Sequence, residues 1–305
     1  MAVQWYPGHM HKAQKEIRRI MDDIDVIIEV LDARIPYSSE NPLLRKMRGN
    51  KPCIKILNKS DLADPETSKL WQEHFEQSDE IKTLSIHKNQ PDKIKMIPDL
   101  CRKLLSQHSN RVKNVNTMIM GIPNVGKSTL INLLAGRNVA KTGNEPAVTK
   151  SQQRIKLSHG IVMSDTPGVL WPKIEMEPVA YRLASTGAIK DTAMDNVDVA
   201  LFALAYLIEF YPEMLKQRYG LTQRPNTEME ALEFIGKKRG CLRKGGHVQL
   251  DPAAKIILTD FRAGTIGKIS METPSLIQKN LADHARETEI LERKKALKHN
   301  KTGSN

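Results

Sequence analysis

Apolar residues in the first part of the chain fall in short blocks separated by segments of helical spacing. The blocks VIIEVL (26–31), CIKIL (53–57), IKTLSI (81–86) and VNTMIM (Val115–Met120) have the length and branched-aliphatic content of buried strands. Between them, 11–22 places Ala13, Ile17, Ile20 and Met21 on one side of a helix. Asp64-Pro65 opens a helix over 66–76, and 93–107 and Lys127–Ala135 also read as helices. The stretch DARIPYSSENP (32–42) reads as turns, and 154–157 and 160–164 read as a pair of further strands. Alternation of this kind predicts an α/β fold with a mostly parallel, doubly wound sheet. From about residue 171 the rhythm changes. The segments 178–187, 195–210, 226–238, 251–262 and 280–298 all have helical spacing, so an all-α region follows. Trp171-Pro172 and Glu177-Pro178 interrupt the pattern. The expected units are therefore 1–172 and 173–305, the second ending in a basic tail, KHNKTGSN.

Aromatic residues make up only 5% of the 305, so the core must be aliphatic. The longest apolar run, 199–208, is half the ~20 residues of a membrane-spanning helix, and no membrane partner is expected. The N-terminus carries charges where a signal peptide would be apolar. Cys53, Cys101 and Cys241 lie too far apart for a metal spacing or a paired framework, so a reducing cytoplasm is expected. A net charge of +12, concentrated in 1–170 and 237–305 around a net acidic middle, favours a polyanionic partner through counterion release from phosphates.

Three motifs carry chemistry. Gly121-Ile-Pro-Asn-Val-Gly-Lys-Ser128 is a full G-x-x-x-x-G-K-[ST] phosphate loop between a strand and a helix. Its backbone N–H groups, including those of Asn124, Val125, Gly126 and Thr129, face phosphates at the helix N-terminus. Lys127 reaches the β- and γ-phosphates, and Ser128 is a ligand for Mg²⁺. Asp165-Thr-Pro-Gly168 ends the next apolar strand, which suits Asp165 to Mg²⁺ and the Gly168 N–H to the γ-phosphate. Thr149, in the polar loop between the two motifs, is a further hydroxyl for Mg²⁺. Base selection is expected from Asn58-Lys59-Ser60-Asp61. The Asp61 carboxylate accepts from guanine N1–H and N2–H₂, which adenine cannot satisfy, Asn58 suits the N7/O6 side, and the Lys59 stem covers the ring. Ser85 and Ile86, followed by His87, are the expected backing of the base. The ligand set is thus GTP or GDP with Mg²⁺.

In most GTPases the guanine motif follows D-x-x-G; here, at 58, it precedes the phosphate loop at 121. The same sheet results if the chain termini are moved to another surface loop, and the D-x-x-G segment then runs directly into the helical region. With WYPGHM (5–10) ahead of it, the motif order resembles the YlqF/RbgA family of circularly permuted ribosome-assembly GTPases over nearly the whole chain. The resemblance implies a permuted P-loop GTPase domain followed by an all-α domain, activity late in assembly of the large ribosomal subunit, and contact between the C-terminal domain and ribosomal RNA. DFRAGTIGKISME (260–272) looks like that family's C-terminal element. Where the family commonly has S-A-K, this chain has Ser85-Ile86-His87.

Catalysis has a gap. The position after D-x-x-G, where many GTPases carry a water-orienting glutamine, is Val169, so intrinsic hydrolysis is expected to be slow. The resemblance points to His9 as the group that orients or activates the water. It also points to Asn124 as a K⁺ ligand. Lys237, Lys238, Arg239, Arg243 and Lys244 lie among glycines at 236, 240, 245 and 246, a composition suited to RNA phosphates. The expected cycle is docking on the immature large subunit in the GTP state and release on hydrolysis, the chain acting as a monomer. The rival is a GTP-sensing RNA-binding scaffold with incidental hydrolysis.

Overall fold

The computed structural model describes residues 8–108, 114–140, 153–157 and 160–302. Thr149 lies outside these, as do the side chains of residues 8–10, 13, 153 and 295–302.

Six strands form one sheet: β1 (Val26–Asp32), β2 (Cys53–Asn58), β3 (Ile81–Ser85), β4 (Val115–Met120), β5 (Gln153–Lys156) and β6 (Ile161–Asp165). Their spatial order is β3-β2-β1-β4-β6-β5, with only the edge strand β5 antiparallel. Parallel strands need crossovers, and α4 (Pro65–Phe75) and α6 (Ile97–His108) supply them between β2, β3 and β4. Helices on both faces bury the sheet, which is why every residue of β1 is buried. Two charges interrupt the apolar runs. Glu29 and Lys55 are cross-strand partners in the register, and Lys55 Nζ lies 2.7 Å from Glu29 Oε2 and 2.8 Å from Glu40 Oε1. Each buried charge thus meets an opposite one.

Local chemistry sets the helix ends. Asp64 caps α4, its carboxylate accepting from the Glu66 and Thr67 N–H groups. The left-handed Gly126 opens α7 (Lys127–Ala135), and Gly136, also left-handed, closes it. The helix expected over 93–107 is broken at Met96 into α5 (Pro91–Lys95) and α6, because Pro98 has no N–H and its ring crowds the preceding turn. The stretch expected as turns, 32–42, holds the short helix α2 (Pro36–Ser39) and ends on the first residue of another, α3 (Pro42–Arg48); each starts on a proline whose missing N–H costs nothing at the first helical position. The N-terminal helix α1 covers Gly8–Met21.

Beyond β6 the described structure is helical: α8 (Glu177–Ser185), α9 (Asn196–Phe210), α10 (Pro212–Tyr219), α11 (Glu228–Lys238), α12 (Leu250–Ala263) and α13 (Pro274–Thr302). Helix α10 was not foreseen; Pro212 ends one helix and starts the next. Alpha12 packs against α9 and α11, with Ala253, Ala254, Ile257, Leu258 and Phe261 buried. The segment between α12 and α13 crosses back over the carboxyl ends of β1 and β2. There Ile269 N–H donates to Leu62 O and Met271 N–H to Arg34 O, at 2.9 and 2.8 Å. The Glu272 carboxylate accepts from Ser38 N and Oγ at 2.9 and 2.6 Å, and Trp71 Nε1 donates to Glu272 O. No helix among the described residues is long and apolar enough to cross a membrane.

Candidate nucleotide site

All three motifs sit at the carboxyl ends of parallel strands, where open α/β sheets bind ligands. The phosphate loop leaves β4, Asp165 ends β6, and Asn58 ends β2. The phosphate loop turns on Gly121 at φ +150°, Asn124 at +60° and Gly126 at +96°. At Gly126 a side chain is doubly excluded, by the left-handed backbone and by the Asn58 amide in the space a Cβ would fill. Asn58 Nδ2 donates to Val125 O at 2.7 Å, binding the guanine motif to the phosphate loop. Ser128 and Thr129 occupy the first turn of α7, at the positive end of its dipole.

Lys127 Nζ folds over the loop and donates to Gly121 O and Ile122 O at 3.0 and 2.7 Å. Burial lowers its pKa, with Asp165 acting in the opposite sense. Burial raises the pKa of Asp165, against the pull of Lys127 and of the Thr166 N–H. Asp165 Oδ1 is buried with no hydrogen-bond partner, an arrangement that suits a carboxylate facing a hydrated divalent cation. Gly168 lies against the phosphate loop, and a Cβ there would sit 2.9 Å from the Pro123 backbone and 3.0 Å from Lys127 Nζ. Val169 is fully buried: its N–H reaches Gly121 O and its carbonyl accepts from Asn41 Nδ2 at 2.6 Å. That position therefore offers no polar group to a water molecule.

On the base side, Lys59 is left-handed at φ +60° and Asp61 is exposed. Both line a cavity of about 980 Å³ together with Asn58, Ile86, Asn124, Gly126 and Thr129. Ile86 is buried, and its carbonyl accepts from Ser60 N–H, which sets the β3 exit beside the guanine motif. Ser85 pairs with Leu57 in the sheet and is not among the lining residues. A further wall comes from the region beyond β6: the turn after α8 (Thr186, Gly187, Ile189, Lys190), Asp191 and Thr192 in the short 3-10 turn that follows, and Thr259, Arg262 and Ala263 at the end of α12. Arg262 spans it, pairing with Asp191 at 2.7 Å and donating to the Ala184 and Ser185 carbonyls. Asn124 Nδ2 donates to Gly187 O at 2.7 Å, a direct bond from the phosphate loop to that wall. The bond fixes which way the amide faces, and only its carbonyl oxygen, the acceptor end, can meet a cation.

Of the residues singled out in the sequence, Asn58, Lys59, Asp61, Ile86, Asn124, Val125, Gly126, Lys127, Ser128, Thr129, Asp165 and Gly168 converge on this edge of the sheet. His9 is in the first turn of α1, its side chain outside the described residues, and Thr149 lies outside them too. Sequence reading missed Asp32, Arg34 and Arg262. A lone aspartate after a strand or an arginine late in a helix carries no local signal.

A family model described as a 50S ribosome-binding GTPase matches residues 116–233. Ribosome biogenesis GTPase A of Bacillus pumilus is 45% identical over 281 residues, covering 90% of this chain and 99% of that protein. Among solved structures, GDP-bound TM YlqF matches with a TM-score of 0.62 at 28% identity, covering 85% of this chain and 99% of that one. GNP-bound YlqF from T. maritima matches at 0.61 with 28% identity, covering 86% and 98%.

Proposed function

The chain belongs to the ribosome biogenesis GTPase A (YlqF/RbgA) family and is a guanine-nucleotide-binding GTPase acting in ribosome biogenesis; on that premise we propose that it docks in its GTP state on the immature large ribosomal subunit, late in assembly, and leaves after hydrolysis to GDP and phosphate. In this reading residues 1–172 are the permuted GTPase domain and 173–305 a helical domain that meets ribosomal RNA. The chain works as a cytoplasmic monomer. The observation that carries the reading is the wall of the nucleotide cavity from beyond β6, bonded to the phosphate loop through Asn124 and Gly187. A nucleotide seated there touches the helical region as well as the motifs, so its phosphate state bears on the orientation of the basic surface at 237–244.

Asp61 selects guanine by accepting two hydrogen bonds, Asn58 joins base and phosphate loops, the Lys59 stem covers the ring, and Ile86 backs it, with Ser85 behind Ile86 in the sheet and off the cavity wall. Backbone N–H groups of Asn124, Val125, Gly126, Lys127 and Thr129 bind phosphates, and Lys127 exchanges its loop carbonyls for the β- and γ-phosphate oxygens. Ser128, Thr149 and Asp165 are the residues to hold Mg²⁺, with the unpartnered Asp165 Oδ1 favouring that assignment. Such an ion, when bound, neutralises charge on the β- and γ-phosphates. The oxygen of Asn124 is the candidate K⁺ ligand. His9 orients or accepts a proton from the attacking water, a task the buried Val169 cannot perform. Hydrolysis is then slow alone and fast when the large subunit fixes α1.

Cosedimentation tests the docking step. The full chain with a non-hydrolysable GTP analogue is expected to pellet with large subunits, and with GDP to remain in the supernatant. Asp61→Asn, which loses the guanine contacts, should remain in the supernatant with either. Equal binding in both nucleotide states would favour the scaffold reading and remove the release cycle.

A further inference from the structure

The end of β1 carries a buried charge cluster to which the nucleotide reading gives no role. Asp32 accepts from Arg34 Nε through Oδ1 at 2.9 Å and from Arg34 Nη2 through Oδ2 at 2.8 Å, while Oδ2 also meets Lys59 Nζ at 2.9 Å. The Ser39 hydroxyl accepts from the Asp32 N–H, which ties the end of β1 to α2, and the Ala33 N–H donates to Asn58 O, which joins it to the guanine loop beside Lys59. Asp32 and Arg34 are 2% and 1% exposed. Lys59 is a non-glycine residue in the left-handed region, a conformation that persists only where its surroundings enforce it. The tight Leu62 N–H to Lys59 O turn fixes its backbone, and Asp32 fixes the far end of its side chain. Between those two anchors the aliphatic stem of Lys59 is held along the cavity wall, in the place a planar base would stack.

We propose that Asp32 is a positioning residue for guanine recognition, its carboxylate holding Lys59 extended so that the stem is in place before the base arrives. The proposal rests on the reading of Asn58–Asp61 as the guanine motif. Arg34 completes the device. Its guanidinium lies 5.2 Å from the centroid of the Phe261 ring, Nη1 donates to Phe261 O at 3.4 Å, and its carbonyl accepts from Met271 N–H. The brace therefore runs from the base loop through one buried carboxylate to α12 and the segment after it. Burial acts to raise the Asp32 pKa, but the Arg34 and Lys59 cations reverse it and hold the carboxyl well below its ordinary range, so the carboxylate stays charged at any physiological pH.

The physical consequence is preorganisation. A Lys59 released from Asp32 spends only part of its time over the base site, and apparent affinity falls by that fraction. Fluorescent-GDP titration of the full chain measures it in wild type, Asp32→Asn, Lys59→Gln, the double variant and Asp61→Asn. Asp32→Asn is expected to weaken GDP binding about ten- to a hundredfold, the range for losing a hydrogen bond to a charged group. Lys59→Gln should cost less in that background than in wild type, because part of what each change removes is the same interaction. Removing one member of a buried ion pair can unfold a chain. If thermal melting shows that Asp32→Asn does not fold, Asp32→Glu takes its place in the cycle, keeping a charge for Arg34 while its longer side chain displaces the oxygens from Lys59. Unchanged GDP affinity, or losses that simply add, would overturn the proposal. A failure of Asp61→Asn to weaken binding would instead overturn the guanine-motif reading.

Discussion

At Gly168 the fit between the two phosphate-binding segments depends on one missing methyl group. The backbone there is not left-handed, so alanine is excluded by space alone, with Pro123 and Lys127 Nζ within 3.0 Å of where Cβ would stand. GDP lacks the γ-phosphate that the Gly168 N–H is assigned to meet. Gly168→Ala is therefore expected to keep GDP affinity while kcat for GTP falls about a hundredfold, the usual effect of an ångström of misplacement. Steady-state hydrolysis beside a GDP titration separates the two. Gly126→Ala is a different case, because the left-handed backbone alone costs about 1–2 kcal/mol. It should lower the melting temperature of the nucleotide-free chain as well as abolish binding. At this scale the phosphate and base motifs were legible because phosphate and guanine chemistry demand fixed residue types at fixed spacing. Asp32 was not, because its partners Arg34 and Lys59 come together only when β1 and β2 pair.

Among the elements, the segment between α12 and α13 is the one whose role the sequence hid. As a string it reads as a helix end and a turn; folded, it supplies Ile269 to the loop after β2, Met271 to the turn after β1 and Glu272 to α2. Glu272 is buried beside Ser38 and Arg182, and burial raises its pKa despite those partners. The folded chain thus holds this proton more tightly than the unfolded chain does. Stability from Glu272 is fully present below its ordinary pKa of 4.5 and is lost as pH rises through the raised value. Glu272→Gln cannot ionise, so urea unfolding from pH 4 upward should show wild type losing stability relative to the variant, whatever their difference at pH 4. A constant difference across that range would contradict the assignment. Strands β1, β2 and β4 were legible as mostly aliphatic blocks without period-two alternation, as a sheet covered on both faces requires. The short helices α2 and α3 were not. A proline after a polar residue or a turn serves a loop and a first helical turn equally well, and each helix is too short to show a helical period.

For the molecule as a whole, the permuted order brings to the candidate nucleotide cavity residues both from the motifs and from the stretch beyond β6. GDP at a hundred times its Kd stabilises what it touches by about 2.7 kcal/mol, or roughly a hundredfold in opening. Amide exchange should therefore slow by up to that factor at Gly187–Lys190 and 259–263 as well as in the phosphate loop. Protection confined to 121–129 would show that the wall from beyond β6 does not sense the nucleotide. The excess basic charge predicts association with ribosomal particles that weakens steeply with salt, and Lys237→Glu with Lys244→Glu should reduce that slope. The most direct test of the central claim is GTP hydrolysis by the full chain in K⁺ buffer, with and without purified large ribosomal subunits, for wild type and His9→Ala. The account predicts a slow rate alone, strong stimulation by large subunits, and loss of that stimulation in His9→Ala. A rate indifferent to subunits would contradict it, leaving a GTP site whose activator is not the ribosome.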